Sequence, residues 1–121
     1  MLLAFLPEEE LRRRLASVEL LQRGPNTITK RSLLEKELAR VRSSGVAVNN
    51  EELAYGLRSI AVPVRSQSGE VAAAINLAAH RSFVSMAELV NRLSPALERT
   101  ASRVSAQLGY RAADLVPAAS S

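Results

Sequence analysis

The sequence predicts a mixed α/β (α+β) fold, with an antiparallel sheet of about three strands, helices packed on one face and a long C-terminal helix. Two β-rich runs flank the short connection Ser66-Gln67-Ser68-Gly69, which is typical of a hairpin. Apolar residues recur with helical spacing from Met86 to Leu108. With 47% hydrophobic residues in 121, the chain can form one modest domain with a single core.

The predicted hairpin has two unlike faces. A turn centred on Gln67-Ser68 predicts three opposed pairs, Ile60 with Ile75, Val64 with Val71, and Ser59 with Asn76. One face then carries bulky branched side chains, suited to packing under helices: Ile60, Val62, Val64, Val71 and Ile75. The other face carries small or polar side chains: Ser59, Ala61, Ala72, Ala74, Asn76 and Ala78. We refer to the second as the small-residue face.

The small-residue face has two interpretations. A merely solvated face would more often carry Lys, Glu, Thr or Arg at alternate positions. Alanines with one serine and one asparagine indicate space for a ligand, with Ser59 and Asn76 aimed into it. A helix or loop packed closely over the sheet would favour the same composition, so the sequence leaves both interpretations open.

The first half of the chain predicts two full helices. Residues 1–5 are expected to end an earlier helix. Pro7 suits a first helical position, and the apolar side of this helix is formed by Leu11, Leu15 and Val18. Arg12, Arg13 and Arg14 follow three glutamates by one turn, which predicts ion pairs rather than a nucleic-acid surface. A loop over residues 22–26 leads to the second helix.

Capping signals place the remaining elements. The second helix is expected to begin near Thr29 or Ser32, since Ser32 with Glu35 forms a capping-box pattern, and Gly45 is expected to be its left-handed end. A short strand is expected at 46–48 and a polar segment at 49–52, with Glu51 and Glu52 in solvent. Ser85 with Glu88 opens the long helix, in which Pro95 is expected to cause a kink.

Several classes of protein are disfavoured. The chain has no cysteine, which excludes disulfides and thiolate chemistry and fits a cytoplasmic protein. No apolar run approaches the roughly 20 residues that span a bilayer. His80 is the only histidine and is expected to be a polar loop residue, and no nucleophile elbow, P-loop or dinucleotide fingerprint is present. We therefore predict a non-enzymatic domain without metal or cofactor.

The order of segments carries a resemblance to a known family. PEEEL is followed by TIT, ARVRSSG, VAVNNEE, GLRSIAVPV, SGEVAAAINL and a helix ending near SAQLG. This order resembles the effector-binding domain of the IclR family, which are bacterial transcription regulators. The segment GLRSIAVPVR is most similar to the branch that controls aromatic-acid degradation, the protocatechuate and 4-hydroxybenzoate regulators.

The resemblance implies a partial GAF-like domain. Residues 1–111 would be the C-terminal portion of an effector-binding domain, and residues 112–121 a disordered tail. The winged helix that binds DNA in the family has no counterpart in this sequence, and neither do the first strands of the effector domain. DNA would therefore be reached only through that missing N-terminal domain, and no membrane contact is implied.

The family also implies a ligand site on the sheet. Position for position, the ligand-binding residues are Asn49, Ser59, Asn76 and Ala78. Asn49 stands where the family often has an acidic residue, and Ala78 where a serine is frequent. The implied ligand is a small carboxylate, either pyruvate-like or an aromatic-pathway acid. A carboxylate also needs a cation or several N–H donors, for which Arg81 or backbone amides are expected.

Two functions remain open at this point. The first is a non-enzymatic effector sensor that controls the DNA binding of the missing winged helix. The second is an oligomerisation module whose hairpin and long helix pair with other chains. An unpaired sheet edge favours strand addition, so self-association into dimers or higher species is expected.

Overall fold

The computed structural model describes residues 1–112 and confirms the predicted fold class. The chain forms a 3₁₀ turn (Leu2–Phe5), α1 (Glu8–Ala16), α2 (Arg31–Ser44), β1 (Ala47–Asn50), β2 (Leu57–Arg65), β3 (Val71–His80), and a long helix made of α3 (Met86–Glu88), a π-helical turn (Leu89–Leu93) and α4 (Ser94–Gln107). The sheet is antiparallel in the order β1-β2-β3. Of the predicted tail, all but Ala112 lies outside the described residues.

The predicted hairpin register is wrong by two residues, since Ser59 pairs with Ala78 and not with Asn76. One residue comes from the turn, where Gly69 has a φ of 88° and Ser66 N–H donates to Glu70 O at 2.9 Å. The other comes from a bulge that leaves Ala72 without a partner, because Arg65 pairs with Val71 and Val64 with Ala73. A shift of two residues keeps every side chain from Ala73 onward on its predicted face.

The bulky face forms the main core, as predicted. Ile60 and Val62 are each 1% exposed, and Leu89 of the π-helical turn is fully buried. The members of this cluster come from β2 and the long helix: Ile60, Val62, Val64, Leu89, Leu97 and Ala101. Ile75 and Leu77 of β3 pack against it, whereas Val71 pairs with Arg65 beyond the bulge and is not among its members.

A π-helical turn accommodates Pro95 in the long helix. Ser85 Oγ accepts the Glu88 N–H at 3.1 Å, which confirms the predicted N-cap. Over the next turn the hydrogen bonds of the helix span five residues, and the Ser94 N–H donates to Leu89 O. Pro95 then falls in the first turn of α4, where a missing N–H costs little.

A second cluster joins α1, α2 and the 3₁₀ turn to the sheet. Its buried members are Ala4, Leu15, Leu38 and Val41, with Ala47 of β1 among those packed against it. Val18 is 52% exposed because α1 ends at Ala16, so its predicted place on the apolar side is wrong. The predicted Ser32 cap is also wrong, since α2 begins at Arg31 without a side-chain cap.

The predicted ion pairs on α1 are present. Glu8 pairs with Arg12 at 3.2 Å, and Glu10 pairs with Arg14 at 2.7 Å and also with Arg13. The hydrogen bond from Arg14, with the nearby Arg13, lowers the pKa of Glu10 below its usual value. This basic run is therefore neutralised locally.

Candidate functional site

All four predicted site residues lie on the small-residue face. Asn49 pairs with Ser59, and Ser59 pairs with Ala78 on the far strand. Directly paired residues of antiparallel strands share a face, so these three form one row across the sheet. Asn76 pairs with Ala61 in the next row, on the same face. The name "site row" is used below for all four residues, that is, the row of three together with Asn76 beside it.

The site row lies where the small-residue face is open. Asn49 and Ser59 are half-buried, while Asn76 and Ala78 are exposed. The protein covers other parts of this face, since Ala47 packs against the second cluster and the Phe5 ring lies 5.3 Å from the Arg65 guanidinium. The prediction that protein covers the face is therefore confirmed near the 3₁₀ turn, whereas Asn76 and Ala78 on β3 are exposed, and a ligand there stays a prediction.

β1 is longer than predicted, and this places Asn49 in the row. The strand includes Asn49 and Asn50, which were expected to lie in a polar segment. Asn49 Oδ1 accepts the Glu52 N–H at 3.0 Å. No hydrogen bond engages the Asn49 NH₂ within the described residues, so this donor is available to a ligand.

Glu51 anchors the loop between β1 and β2, contrary to the prediction that it lies in solvent. Its residue is 8% exposed, and its Oε1 accepts the Gly56 N–H at 2.8 Å. Arg81 Nη1 donates to the same oxygen at 3.3 Å. The Gly56 hydrogen bond, followed by that of Arg81, lowers the pKa of Glu51 below its usual value. Glu51 is thus held as a carboxylate at neutral pH.

The loop before α2 is bound to the same place. The Asn26 N–H donates to Glu51 O at 3.0 Å, and Asn26 Nδ2 donates to Asn50 O at 2.7 Å. Thr27 Oγ1 donates to Glu52 O. Three carbonyls that follow one another at the end of β1 are therefore satisfied by one loop.

Two residues at the end of β3 differ from their predicted roles. Arg81, expected as a charge for the ligand, is paired with Glu51 and lies 5.2 Å from the centroid of the Tyr55 ring. His80, expected in a loop, ends β3 and pairs with Leu57. It shares the face of Asn76 and Ala78, and the alternation through 76, 78 and 80 was a signal for this in the sequence.

Two cavities of the described region lie away from the site row. One, of about 650 Å³, is lined by residues of the 3₁₀ turn, α1 and α2, including Leu11, Arg12 and Arg42. Its cations are already engaged, Arg12 by Glu8 and Arg42 by Ala4 O at 2.6 Å. The other, of about 400 Å³, lies between β2 and α4 and is lined by Ser102 and Tyr110 among others. Arg65 also lines the second cavity, and its Nη1 donates to Gly69 O at 2.8 Å. The arginines of both cavities are thus engaged by other groups of the protein.

The sequence of this chain matches a family of domains from bacterial transcription regulators. Residues 1–106 match the family described as Bacterial transcriptional regulator IclR C-terminal. The chain therefore belongs to the IclR C-terminal domain family, as the order of its segments predicted.

Curated relatives support this membership. The chain is 38% identical over 96 residues to the Pca regulon regulatory protein of Pseudomonas putida, covering 79% of this chain and 33% of that protein. It is 36% identical over 111 residues to the HTH-type transcriptional regulator XynR of Escherichia coli, covering 92% and 44%. The chain thus spans less than half the length of these relatives. Their names confirm a regulatory, non-enzymatic domain.

Solved structures share the fold. The IclR protein of Thermotoga maritima superimposes with a TM-score of 0.81 and 36% identity, covering 90% of this chain and 44% of that one. A double mutant of the PobR inducer-binding domain from Acinetobacter, in complex with 3-hydroxybenzoic acid, gives a TM-score of 0.82 and 30% identity, covering 86% and 59%. None of the helices within residues 1–112 combines the length and apolar character needed to cross a bilayer.

Proposed function

We propose that this domain is the effector-sensing part of a cytoplasmic IclR-type regulator and binds a small carboxylic acid on the site row. Occupancy of the row would control DNA binding by a winged-helix domain of the parent regulator. The observation that carries the proposal is the geometry of the row, in which Asn49, Ser59 and Ala78 are cross-strand neighbours on an open face.

The chemistry of the row favours an anion over a cation. The Asn49 NH₂ and the Ser59 hydroxyl can both donate to carboxylate oxygens, and Asn76 adds another amide in the next row. An acidic residue in place of Asn49 would repel a carboxylate, so the neutral side chain removes that penalty.

An aromatic acid is the finer part of the proposal. Ala78 leaves the β3 end of the row without a large side chain, which gives space for a ring. The complex of the PobR domain with 3-hydroxybenzoic acid and the match to the Pca regulon protein support this ligand class. 3-Hydroxybenzoate is accordingly the first probe to use.

Ala78→Leu is expected to block the row. Because Ala78 is exposed, the larger side chain is accommodated without a core rearrangement, and it extends over Ser59. We expect the Kd for 3-hydroxybenzoate, measured by NMR titration at millimolar concentrations, to rise by about tenfold or more. Ala72→Leu, an equally exposed change at the bulge of the same strand, is the control and should leave the Kd unchanged. Equal binding by both variants would contradict the proposal.

A second candidate function, self-association, is supported by the outer edge of β3. Within residues 1–112 this ten-residue strand pairs only with β2. The Arg81 N–H donates to Gly56 O at 2.8 Å, so in an antiparallel ladder the N–H groups of odd-numbered β3 residues face β2. Those of Ala74, Asn76 and Ala78 face outward. We propose that a second copy of the chain adds to this edge and forms a dimer.

Adjacent alanines in β3 give a matched test. Ala74→Pro removes an outward N–H, so we expect a folded chain that is monomeric by light scattering across a concentration series. Ala73→Pro removes an N–H of the ladder with β2 and should instead lower the melting temperature. An unsubstituted chain that stays monomeric at every concentration would contradict this candidate.

A further inference from the structure

We infer that Glu51 is a positioning residue for Asn49: it holds the chain in a left-handed turn that aims the Glu52 N–H at Asn49 Oδ1. Asn49 thereby offers its NH₂, and not its carbonyl, to the open face. The inference deepens the proposed function and rests on it for its consequence, since it assigns the residue that determines the polarity of the site row.

The backbone at Glu51 is in an unusual conformation. Its φ is 56°, and Glu51 is the one non-glycine residue within 1–112 that has a positive φ. Such a conformation is costly for a residue with a Cβ and persists only where surrounding contacts enforce it. Glycine or asparagine would adopt it more easily, so contacts of the glutamate side chain must offset the cost of this conformation.

The side chain supplies the enforcing contacts. Oε1 accepts the Gly56 N–H at 2.8 Å, which closes the loop of residues 51–56 upon itself. The same oxygen accepts from Arg81 at 3.3 Å, which ties the loop to the residue after β3. The Glu51 N–H donates to Leu57 O at 2.8 Å, so the backbone remains in register with β2. The carboxylate therefore joins β1, β2 and β3 at one end of the sheet.

A further segment fixes Glu51 from the opposite side. A Cβ at Gly24 would lie 2.5 Å from Glu51 O and 3.0 Å from Ala54 N, so the loop before α2 is in direct backbone contact with this turn. The Asn26 N–H donates to the same Glu51 oxygen at 3.0 Å. The backbone carbonyl oxygen and the side-chain carboxylate of Glu51 are thus both held by hydrogen bonds. The peptide between Glu51 and Glu52 therefore has one available orientation.

That peptide carries the N–H that orients Asn49. The Glu52 N–H lies 3.0 Å from Asn49 Oδ1, and its direction is set by the backbone angles of Glu51. When the oxygen of an asparagine side chain accepts a hydrogen bond on one side, its two NH₂ donors point away from that partner. Glu51 thus determines, through Glu52, that the site row presents donors.

The test reads Asn49 directly by NMR. In the unsubstituted chain we expect only weak nuclear Overhauser contacts between the Asn49 NH₂ protons and the Glu52 amide proton, because Oδ1 is the atom that faces Glu52. Glu51→Ala should move the Asn49 side-chain NH₂ resonances toward the values of a solvated asparagine. Glu51→Gln keeps an acceptor for the Gly56 N–H but loses the charge opposite Arg81. It should therefore shift the Asn49 NH₂ resonances less than Glu51→Ala does. Glu10→Gln is the control, since it removes another arginine-paired carboxylate on α1 and should leave Asn49 unchanged.

The outcomes separate this inference from the proposed function. Unchanged Asn49 resonances in folded Glu51→Ala would overturn the inference, as would an Asn49 NH₂ facing the Glu52 amide in the unsubstituted chain. The orientation of Asn49 in the unsubstituted chain can be measured even when Glu51→Ala does not fold. If Asn49 responds as expected while 3-hydroxybenzoate perturbs none of the site row, the positioning stands and the ligand proposal fails. If both hold, Glu51→Ala should raise the Kd for 3-hydroxybenzoate by about tenfold.

Discussion

Replacement of Leu89 with alanine is expected to lower the free energy of unfolding by about 2–5 kcal/mol, the largest effect of a single core substitution in this domain. Leu89 is fully buried and belongs to the cluster formed with Ile60 and Val62. It lies in the π-helical turn, where its carbonyl accepts the Ser94 N–H, so the helix has little freedom to close a cavity. A loss of this size is a large fraction of the stability of a small domain. Urea unfolding followed by circular dichroism measures it.

The neighbouring Val90 provides the control. It is in the same helical turn but 44% exposed, so Val90→Ala should cost less than about 0.5 kcal/mol. Comparable small losses at both positions would contradict the packing of the long helix on the bulky face.

Gly24→Ala is expected to be strongly destabilising although it lies outside the core. Its Cβ would lie 2.5 Å from Glu51 O and 3.1 Å from the Glu52 carbonyl carbon, and both neighbours are backbone atoms that cannot rotate away. Overpacking of this kind typically costs about 1–3 kcal/mol and displaces the backbone. We therefore expect both a lower melting temperature and shifted amide resonances for Glu51 and Glu52.

Gly45→Ala separates this clash from the general cost of losing a glycine. Gly45 ends α2 with a φ of 76°, but a Cβ there would meet nothing within 4 Å. Gly45→Ala should lower the free energy of unfolding by about 1–2 kcal/mol, because alanine disfavours the left-handed conformation. It should not shift the amide resonances of residues 51–56. If Gly24→Ala is no more destabilising than Gly45→Ala and leaves Glu51 unshifted, the close approach of the two loops is incorrect.

The faces of the hairpin were predictable from the sequence, whereas its register was not. Alternation alone assigns Ile60 and Val62 to one face and Ser59 to the other, whatever the turn. The register depends on two local irregularities, a three-residue turn ending at Gly69 and the bulge at Ala72, and neither has a decisive sequence signal. Their effects add to two residues, which is why the predicted faces survived the wrong pairing.

The role of Glu51 was beyond sequence reasoning for a different reason. Its partners Gly56 and Arg81 are on separate segments, and the loop containing Asn26 approaches only in the folded chain. A glutamate pair in a polar stretch is ordinarily solvated, so composition favoured the wrong interpretation. The Ser85 cap needs only residues within one helical turn and was predicted correctly. The same spacing at Ser32 and Glu35 was misleading, since α2 begins one residue earlier, at Arg31.

The central claim is that the site row binds a small carboxylic acid, and an NMR titration of the unsubstituted chain with 3-hydroxybenzoate tests it most directly. We expect saturable shifts of the backbone and side-chain amides of Asn49 and Asn76 and of the Ser59 amide. Residues of the bulky face, such as Val62, should stay within experimental error. Two results would contradict the claim: chemical shift changes confined to the cavity lined by the 3₁₀ turn, α1 and α2, or no saturable shift in the site row at millimolar concentrations of the acid.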